Sequence, residues 1–204
     1  VKAIFPTLQA EGPLAGTPAV FVRLGGCNLA CDFCDTEFEG FSEWGLPDIL
    51  AEVQAAAGGE KRLRRLVVIT GGEPLRQAIG PLCRALLKQG FSVQVETNGT
   101  IYRKLPREIS IVCSPKNTGR GYRTLEEPLL RQVAALKFVV SKHHPLYGEV
   151  KEVGQRRFGI PVYVQPMDEM DEAKNKENLL HARQIALSQG YHLSLQMHKI
   201  MGLP

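Results

Sequence analysis

Several things that would point to familiar functions are missing from this chain. No apolar run is long enough to span a bilayer, which argues against a membrane helix, and no secretory signal pattern is present, so a soluble cytoplasmic protein is expected. There is no second CxxC to complete a four-thiolate zinc ribbon. The five histidines, His143, His144, His181, His192 and His198, form no recognisable metal spacing. No aromatic-rich RNA-binding module accompanies the modest net charge of +4, so no nucleic-acid partner is expected. The basic residues are dispersed apart from Lys61, Arg62, Arg64 and Arg65, a run that reads as a solvated helix end. Internal repeats and disordered linkers are absent too. The 204 residues suffice for one sizeable core and are few for two, so one domain over 1–204 is expected.

Cysteine, where it occurs, is concentrated. Cys27, Cys31 and Cys34 form the C-x3-C-x2-C run GCNLACDFCDT. An odd total of five, three of them clustered, argues against a secreted disulfide framework and for a reducing compartment where thiolates stay available for metal. A closed four-thiolate site has no free valence, whereas an iron-sulfur cubane held by three cysteines keeps one iron open. The competing reading is a structural zinc module or electron carrier completed by another cysteine or a histidine. Cys83, in an apolar helix-like stretch, and Cys113, after the strand-like ISIV, read as small buried hydrophobes, which weakens that reading. A histidine as fourth ligand stays open.

A composition of 44% hydrophobic and 23% charged residues is that of a globular protein. LPDILAEVQAAAG places Leu46, Ile49, Leu50 and Val53 on a helical face, and LVVI at 66–69 reads as a buried strand. The pattern recurs as IGPLCRALLKQG, with Gly90 ending the helix, before FSVQV at 91–95, and ISIV at 109–112 adds a strand. EEPLLRQVAA precedes LKFVV at 136–140, and IPVYV follows at 160–164. Residues 171–188 read as a long helix stopped by Gly190. With PAVFVRL at 18–24, this gives about six main parallel strands and roughly three or four substantial helices, too few for a full barrel. The expected fold is α/β, a single-domain partial TIM-like barrel, although periodicity alone does not distinguish it from an open sheet. Polar motifs directly follow the strands: TGGEP, ETNG, SPK and QPMD, where an α/β fold gathers loops over one end of its sheet. KHHPLYGEV at 142–150 reads as a surface loop with no catalytic role.

The cysteine spacing, the intervening Phe33 and the downstream GGEP resemble the radical S-adenosylmethionine superfamily. That resemblance implies a 4Fe-4S cluster whose open iron is chelated by S-adenosylmethionine, with reduction from an external donor such as flavodoxin or ferredoxin releasing a 5'-deoxyadenosyl radical. FPTLQAEG, TPAVFVRLGGCNL, CDFCDTEF, TGGEPL, ETNGT, SPK, QPMD and LQMHKIMGLP together resemble the 7-carboxy-7-deazaguanine synthase family through nearly the whole chain. The family is implied to be a carbon-nitrogen lyase acting in queuosine and related deazapurine biosynthesis. It contracts the ring of 6-carboxy-5,6,7,8-tetrahydropterin to 7-carboxy-7-deazaguanine with loss of ammonia. Regeneration of S-adenosylmethionine, a magnesium ion and a homodimer are implied as well. Two departures are local: Ala10 stands where the family usually shows glycine, and the cluster loop is the short form.

The resemblance assigns roles by position. Cys27, Cys31 and Cys34 hold the cluster, and Thr36 contacts Mg2+, an oxygen-seeking ion. Phe33 packs near the cofactor's adenine or anchors the loop, and Asp35 orients that loop or contacts the cofactor. Gly71 and Gly72 allow close backbone approach, and Glu73 accepts from the cofactor's amino group. Glu96, Asn98, Ser114, Pro115, Lys116, Gln165, Pro166, Met167 and Asp168 complete the cofactor side. Substrate falls to Leu8, Gln9, Ala10, Glu11, Arg23 and Thr70, with Arg23 suited to a carboxylate, and to the terminal Pro204. A radical activase of a glycyl-radical protein is the enzymatic alternative, sharing the cluster and GGEP but requiring a peptide groove.

Overall fold

Alternation along the strands sorts the chain's chemistry onto one face of a sheet. In the computed structural model, which describes residues 1–203, β1 (Ala3–Leu8), β2 (Pro18–Leu24), β3 (Leu66–Gly71), β4 (Ser92–Thr97), β5 (Ser110–Cys113), β6 (Val133–Val140), β7 (Val162–Pro166) and β8 (His192–Leu193) form one sheet in sequence order. β1 runs antiparallel to β2, and every later pairing is parallel. The order never reverses, as it would in a doubly wound sheet, and β8 does not pair with β1 among the described residues, so the winding is that of an incomplete barrel. The six strands expected from the sequence are β2 to β7. The structure adds two edges: β1, which carries Pro6 where an edge strand tolerates a missing donor, and the two-residue β8.

One face of the sheet presents Val20, Val22 and Leu24, Val67 and Ile69, Val93 and Val95, Leu136, Phe138 and Val140, and Val162 and Val164 to the main core. The intervening positions point the other way, so Arg23, Thr70, Gln94, Glu96, Lys137 and Gln165 share the opposite, concave face.

Helices α1 (Leu46–Ala56), α2 (Gly80–Lys88) and α5 (Glu172–Gln189) pack over the aliphatic face; α3 (Glu127–Leu130), α4 (Gln155–Phe158) and α6 (Met197–Met201) are short. In α1, Ile49 and Val53 are buried and Leu50 packs against the core, but Leu46, expected on the same face, is the first residue of the helix and is exposed. Helix α5 starts at Asp171, whose carboxylate accepts from Lys174 N at 3.0 Å, and ends at Gly190 with φ +70°. Among the described residues no helix is long and apolar enough to cross a membrane.

Two expectations need correction, and a third holds. The basic run is not a free helix end: Arg62 donates to Gln89 O and lies over the Phe91 ring, and Arg64 donates to Ala56 O at 3.1 Å, fastening the turn between α1 and β3. The 142–150 segment is not wholly superficial, since Tyr147 is buried and its hydroxyl both accepts from Asn117 N (3.1 Å) and donates to Asn117 O (3.0 Å). Cys83 and Cys113 are buried as expected, and burial pushes their thiols up to about 11 and about 12, leaving them unreactive.

Candidate functional site

A cavity opens at the carboxyl ends of the parallel strands, on the concave face. The loop after β2 brings Cys27, Cys31 and Cys34 to its wall, none of them in a disulfide. The Cys27 thiol accepts from Leu29 N and the Cys34 thiol donates to Thr36 O, both at 3.5 Å. Burial pushes the Cys31 thiol up, Lys116 opposes that, and the neighbouring Cys34 and Cys27 add to it. Among the described residues no three His, Cys, Asp or Glu side chains surround a single ion. Three thiols on one wall fit an iron-sulfur cubane, which takes three thiolates and leaves one iron open.

The TGGEP turn is packed hard against this loop. A Cβ on Gly71 would stand 2.0 Å from Leu24 O, and one on Gly72 would stand 2.0 Å from Gly26 O and 2.8 Å from Cys27 N. Both glycines line the cavity, so the same bareness that admits a ligand also admits the cysteine loop. Glu73 lies behind them, fully buried and away from the cavity lining. Its Oε1 accepts from Leu75 N (2.9 Å) and Thr97 Oγ1 (2.8 Å), and its Oε2 from Asn98 N (2.7 Å). Burial raises its carboxyl above the ordinary value although these three bonds oppose the rise. In this structure Glu73 ties the β3 turn to the ETNG turn.

Asn98 continues that tie, donating from Nδ2 to Asn28 Oδ1 at 3.1 Å beside Cys27. Ser114 and Lys116 line the next stretch of wall, with Lys116 Nζ donating to Ser114 Oγ at 2.6 Å; Pro115 between them is buried outside the lining. Gln165, Pro166, Met167 and Asp168 form the far wall. Phe33 lines the cavity and is braced edge-on by Tyr147, ring centroids 4.8 Å apart, so the anchoring role expected of it has a partner.

Leu8, Gln9, Ala10 and Glu11 close the side nearest β1. Ala10 has no positive φ, so alanine fits there without the freedom glycine would give. Arg23 and Thr70 sit side by side in the β2–β3 register and both line the cavity. The Arg23 guanidinium lies 5.1 Å from the Phe5 ring centroid, its buried Nε has no hydrogen-bond partner, and no acidic partner is found among the described residues. Thr36 lines the cavity and donates to Asp35 Oδ1 at 3.3 Å. Pro204 lies outside the described residues.

Four polar lining residues were given no site role from the sequence: Thr97, Lys137, Gln196 and His198. Lys137 is a buried cation that pairs with Glu11 and, at 2.9 Å, with Glu96. Its signal was present as the one charge in the apolar run LKFVV. Burial alone would push the Glu11 carboxyl up, and Lys137 reverses this and holds it below its ordinary value.

Comparison with known proteins agrees with this geometry. Residues 21–112 match the model of the radical SAM superfamily. The chain is 52% identical over its whole length to 7-carboxy-7-deazaguanine synthase of Rickettsia prowazekii, covering 88% of that protein, and 42% identical over 98% of its length to that of Rhodospirillum rubrum, covering 91%. The crystal structure of QueE from Escherichia coli superimposes with a TM-score of 0.73 at 28% identity, over 96% of this chain and 92% of that one. With three thiols free of disulfides on a glycine-walled cavity, an arginine without an acidic partner among the described residues in the same space, and relatives matched over nearly all of this chain, the chain belongs to the 7-carboxy-7-deazaguanine synthase family of the radical SAM superfamily.

Proposed function

We propose that this enzyme contracts 6-carboxy-5,6,7,8-tetrahydropterin to 7-carboxy-7-deazaguanine with release of ammonia, as a single catalytic domain of a cytoplasmic homodimer in deazapurine biosynthesis. The observation that carries the reading is Arg23: a half-buried guanidinium with no acidic partner among the described residues, in the same cavity as the cysteine triad. A planar fork left without a carboxylate is matched to one arriving on a substrate.

Cys27, Cys31 and Cys34 would hold a 4Fe-4S cluster, and the wall from Gly71 to Asp168 would hold S-adenosylmethionine. Bound together, and reduced by an external donor such as flavodoxin or ferredoxin, the two supply abstraction of a hydrogen atom from the substrate. The chain's own residues do the rest. Arg23 binds the carboxylate, while Thr70 beside it fixes the approach. Gln9 is held by donating from Nε2 to Glu96 Oε1 at 2.9 Å, which leaves Glu11 to accept from the pterin's N–H groups. Thr36 offers a hydroxyl oxygen for Mg2+, with substrate oxygens completing the sphere; a hard ion shared in this way needs few protein ligands. Ser114 and Lys116 face the cofactor's polar groups.

Replacing Arg23 by Leu tests the reading. The expected result is loss of pterin turnover by about 100-fold with cluster content unchanged, since a half-buried charge-assisted fork contributes up to about 3 kcal/mol. Unchanged turnover of the carboxypterin would contradict it.

A further inference from the structure

Lys137 joins two walls of the cavity. It enters from β6, and its ammonium contacts Glu11, in the loop after β1, and Glu96 Oε2, on β4, at 2.9 Å. The three side chains are 5%, 15% and 19% exposed, so water screens the cluster weakly. Glu96 is oriented further: its Oε1 accepts from Gln9 Nε2 at 2.9 Å and Gln94 Nε2 at 3.1 Å. Glu11 keeps Oε1 on the other side, 3.9 Å from His198 Nδ1.

Two carboxylates this close repel each other, and without a cation between them one takes up a proton and ceases to be a full acceptor. A single ammonium shared between them removes that repulsion and fixes their separation. Pterin recognition makes demands of the same kind, because the ring's edge presents N–H donors that need ionised, immobile acceptors.

We propose that Lys137 is a positioning residue for the substrate: by bridging Glu11 to Glu96, which is itself fixed by Gln9 and Gln94, it keeps the Glu11 carboxylate ionised and in place as an acceptor for the pterin's N–H groups. This deepens the function proposed above and rests on it. The groups that face the bridge are Glu11, Glu96 and Lys116, with His198 and Asp35 acting on Glu11 from the tail and the cysteine loop. The lowered Glu11 carboxyl agrees with the bridge, since Lys137 is what overcomes its burial. Lys116 is pushed the opposite way from Lys137, by burial and then by Lys137 itself, which marks Lys137 as the cation that the two acids serve.

The test is equilibrium binding of 6-carboxypterin, a stable fluorescent analogue, to the cluster-reconstituted enzyme with S-adenosylmethionine from about pH 5 to about pH 9. Wild type, Lys137→Met, Lys137→Arg and the double variant Lys137→Met/Glu96→Gln are compared, with folding checked by circular dichroism. Lys137→Met should bind about tenfold more weakly, and its acid limb should move up by about one pH unit, because Glu11 no longer has its cation. Lys137→Arg should recover most of the affinity. The double variant removes one acid with the cation, so it should fold, but Glu11 still lacks the cation that offsets its burial, so the acid limb should stay raised and binding should stay weak. Lys137→Met with wild-type affinity and pH profile overturns the proposal. If that variant does not fold, wild-type affinity in the double variant overturns it. Wild-type enzyme that cleaves S-adenosylmethionine but binds no pterin overturns the substrate reading, and this inference with it; the wild-type arm alone reveals that outcome.

Discussion

Lys199 Nζ stands 2.6 Å from Asp168 Oδ2. The same ammonium reaches Asp35 Oδ2 at 2.9 Å, so one side chain in the tail helix α6 fastens the cysteine loop to the QPMD wall. Gln196 Nε2 adds a bond to Asp35 Oδ2 at 3.0 Å, and Met197 N donates to Ala10 O at 3.2 Å. The tail therefore joins three parts of the cavity rim: the cysteine loop, the QPMD wall and the loop at Ala10.

Replacing Lys199 by Met should loosen this junction. Its partners are partly exposed, so global stability should fall by no more than about 1 kcal/mol. The Michaelis constant for the pterin should rise about 5-fold to 10-fold, and amide exchange over 196–203 should accelerate. Steady-state kinetics and hydrogen-exchange mass spectrometry read the two effects. Unchanged exchange in the tail would show that the latch does not hold it.

Acid should open the same latch. Burial would raise the Asp168 carboxyl, but Lys199, Met170 N and Asn175 outweigh it and bring it down to about 2 from the ordinary 3.8. A depressed carboxyl stabilises the folded state above its unfolded value and loses that contribution as pH falls through its folded value. Tail protection should thus persist at neutral pH and disappear between about pH 4 and about pH 2. In Asp168→Asn the acid dependence assigned to this residue should be missing, as followed by exchange at stepped pH.

Glu73→Gln should destabilise the fold by about 1–3 kcal/mol, because an amide cannot accept from all three donors and at least one buried N–H or O–H is left unpaired. Chemical denaturation measures this. Wild-type stability would mean that the three bonds at 2.7 to 2.9 Å are not those that fix the turn.

Gly72→Ala should damage cluster retention. The added Cβ meets backbone at 2.0 Å, where no flexible side chain can move aside, so the cysteine loop itself must shift. Iron and sulfide per chain after reconstitution should fall by at least about half, with far-ultraviolet circular dichroism unchanged. Full iron content would contradict the tight packing of the two loops.

Much of this was readable from the string. β2 to β7 appear as apolar runs, and the motifs that follow them line one cavity because parallel strands carry their loops to the same end. Gln94 and Lys137 were harder to place. A lone polar residue in a strand reads as solvent-facing, and only the curling of the sheet turns its second face inward. The direction of Glu73 was hidden for another reason: its partners Thr97 and Asn98 come from β4 and its following turn, and side-chain direction after a turn is set by such neighbours. The Lys199 latch joins residues far apart in sequence, which leave no local pattern.

The most direct measurement is product analysis by mass spectrometry. The protein would be reconstituted anaerobically with iron and sulfide and supplied with reductant, S-adenosylmethionine, Mg2+ and 6-carboxy-5,6,7,8-tetrahydropterin. Catalytic formation of 7-carboxy-7-deazaguanine, abolished in Cys31→Ala, is the predicted result. An intact cluster that cleaves S-adenosylmethionine yet leaves the pterin unchanged would contradict it.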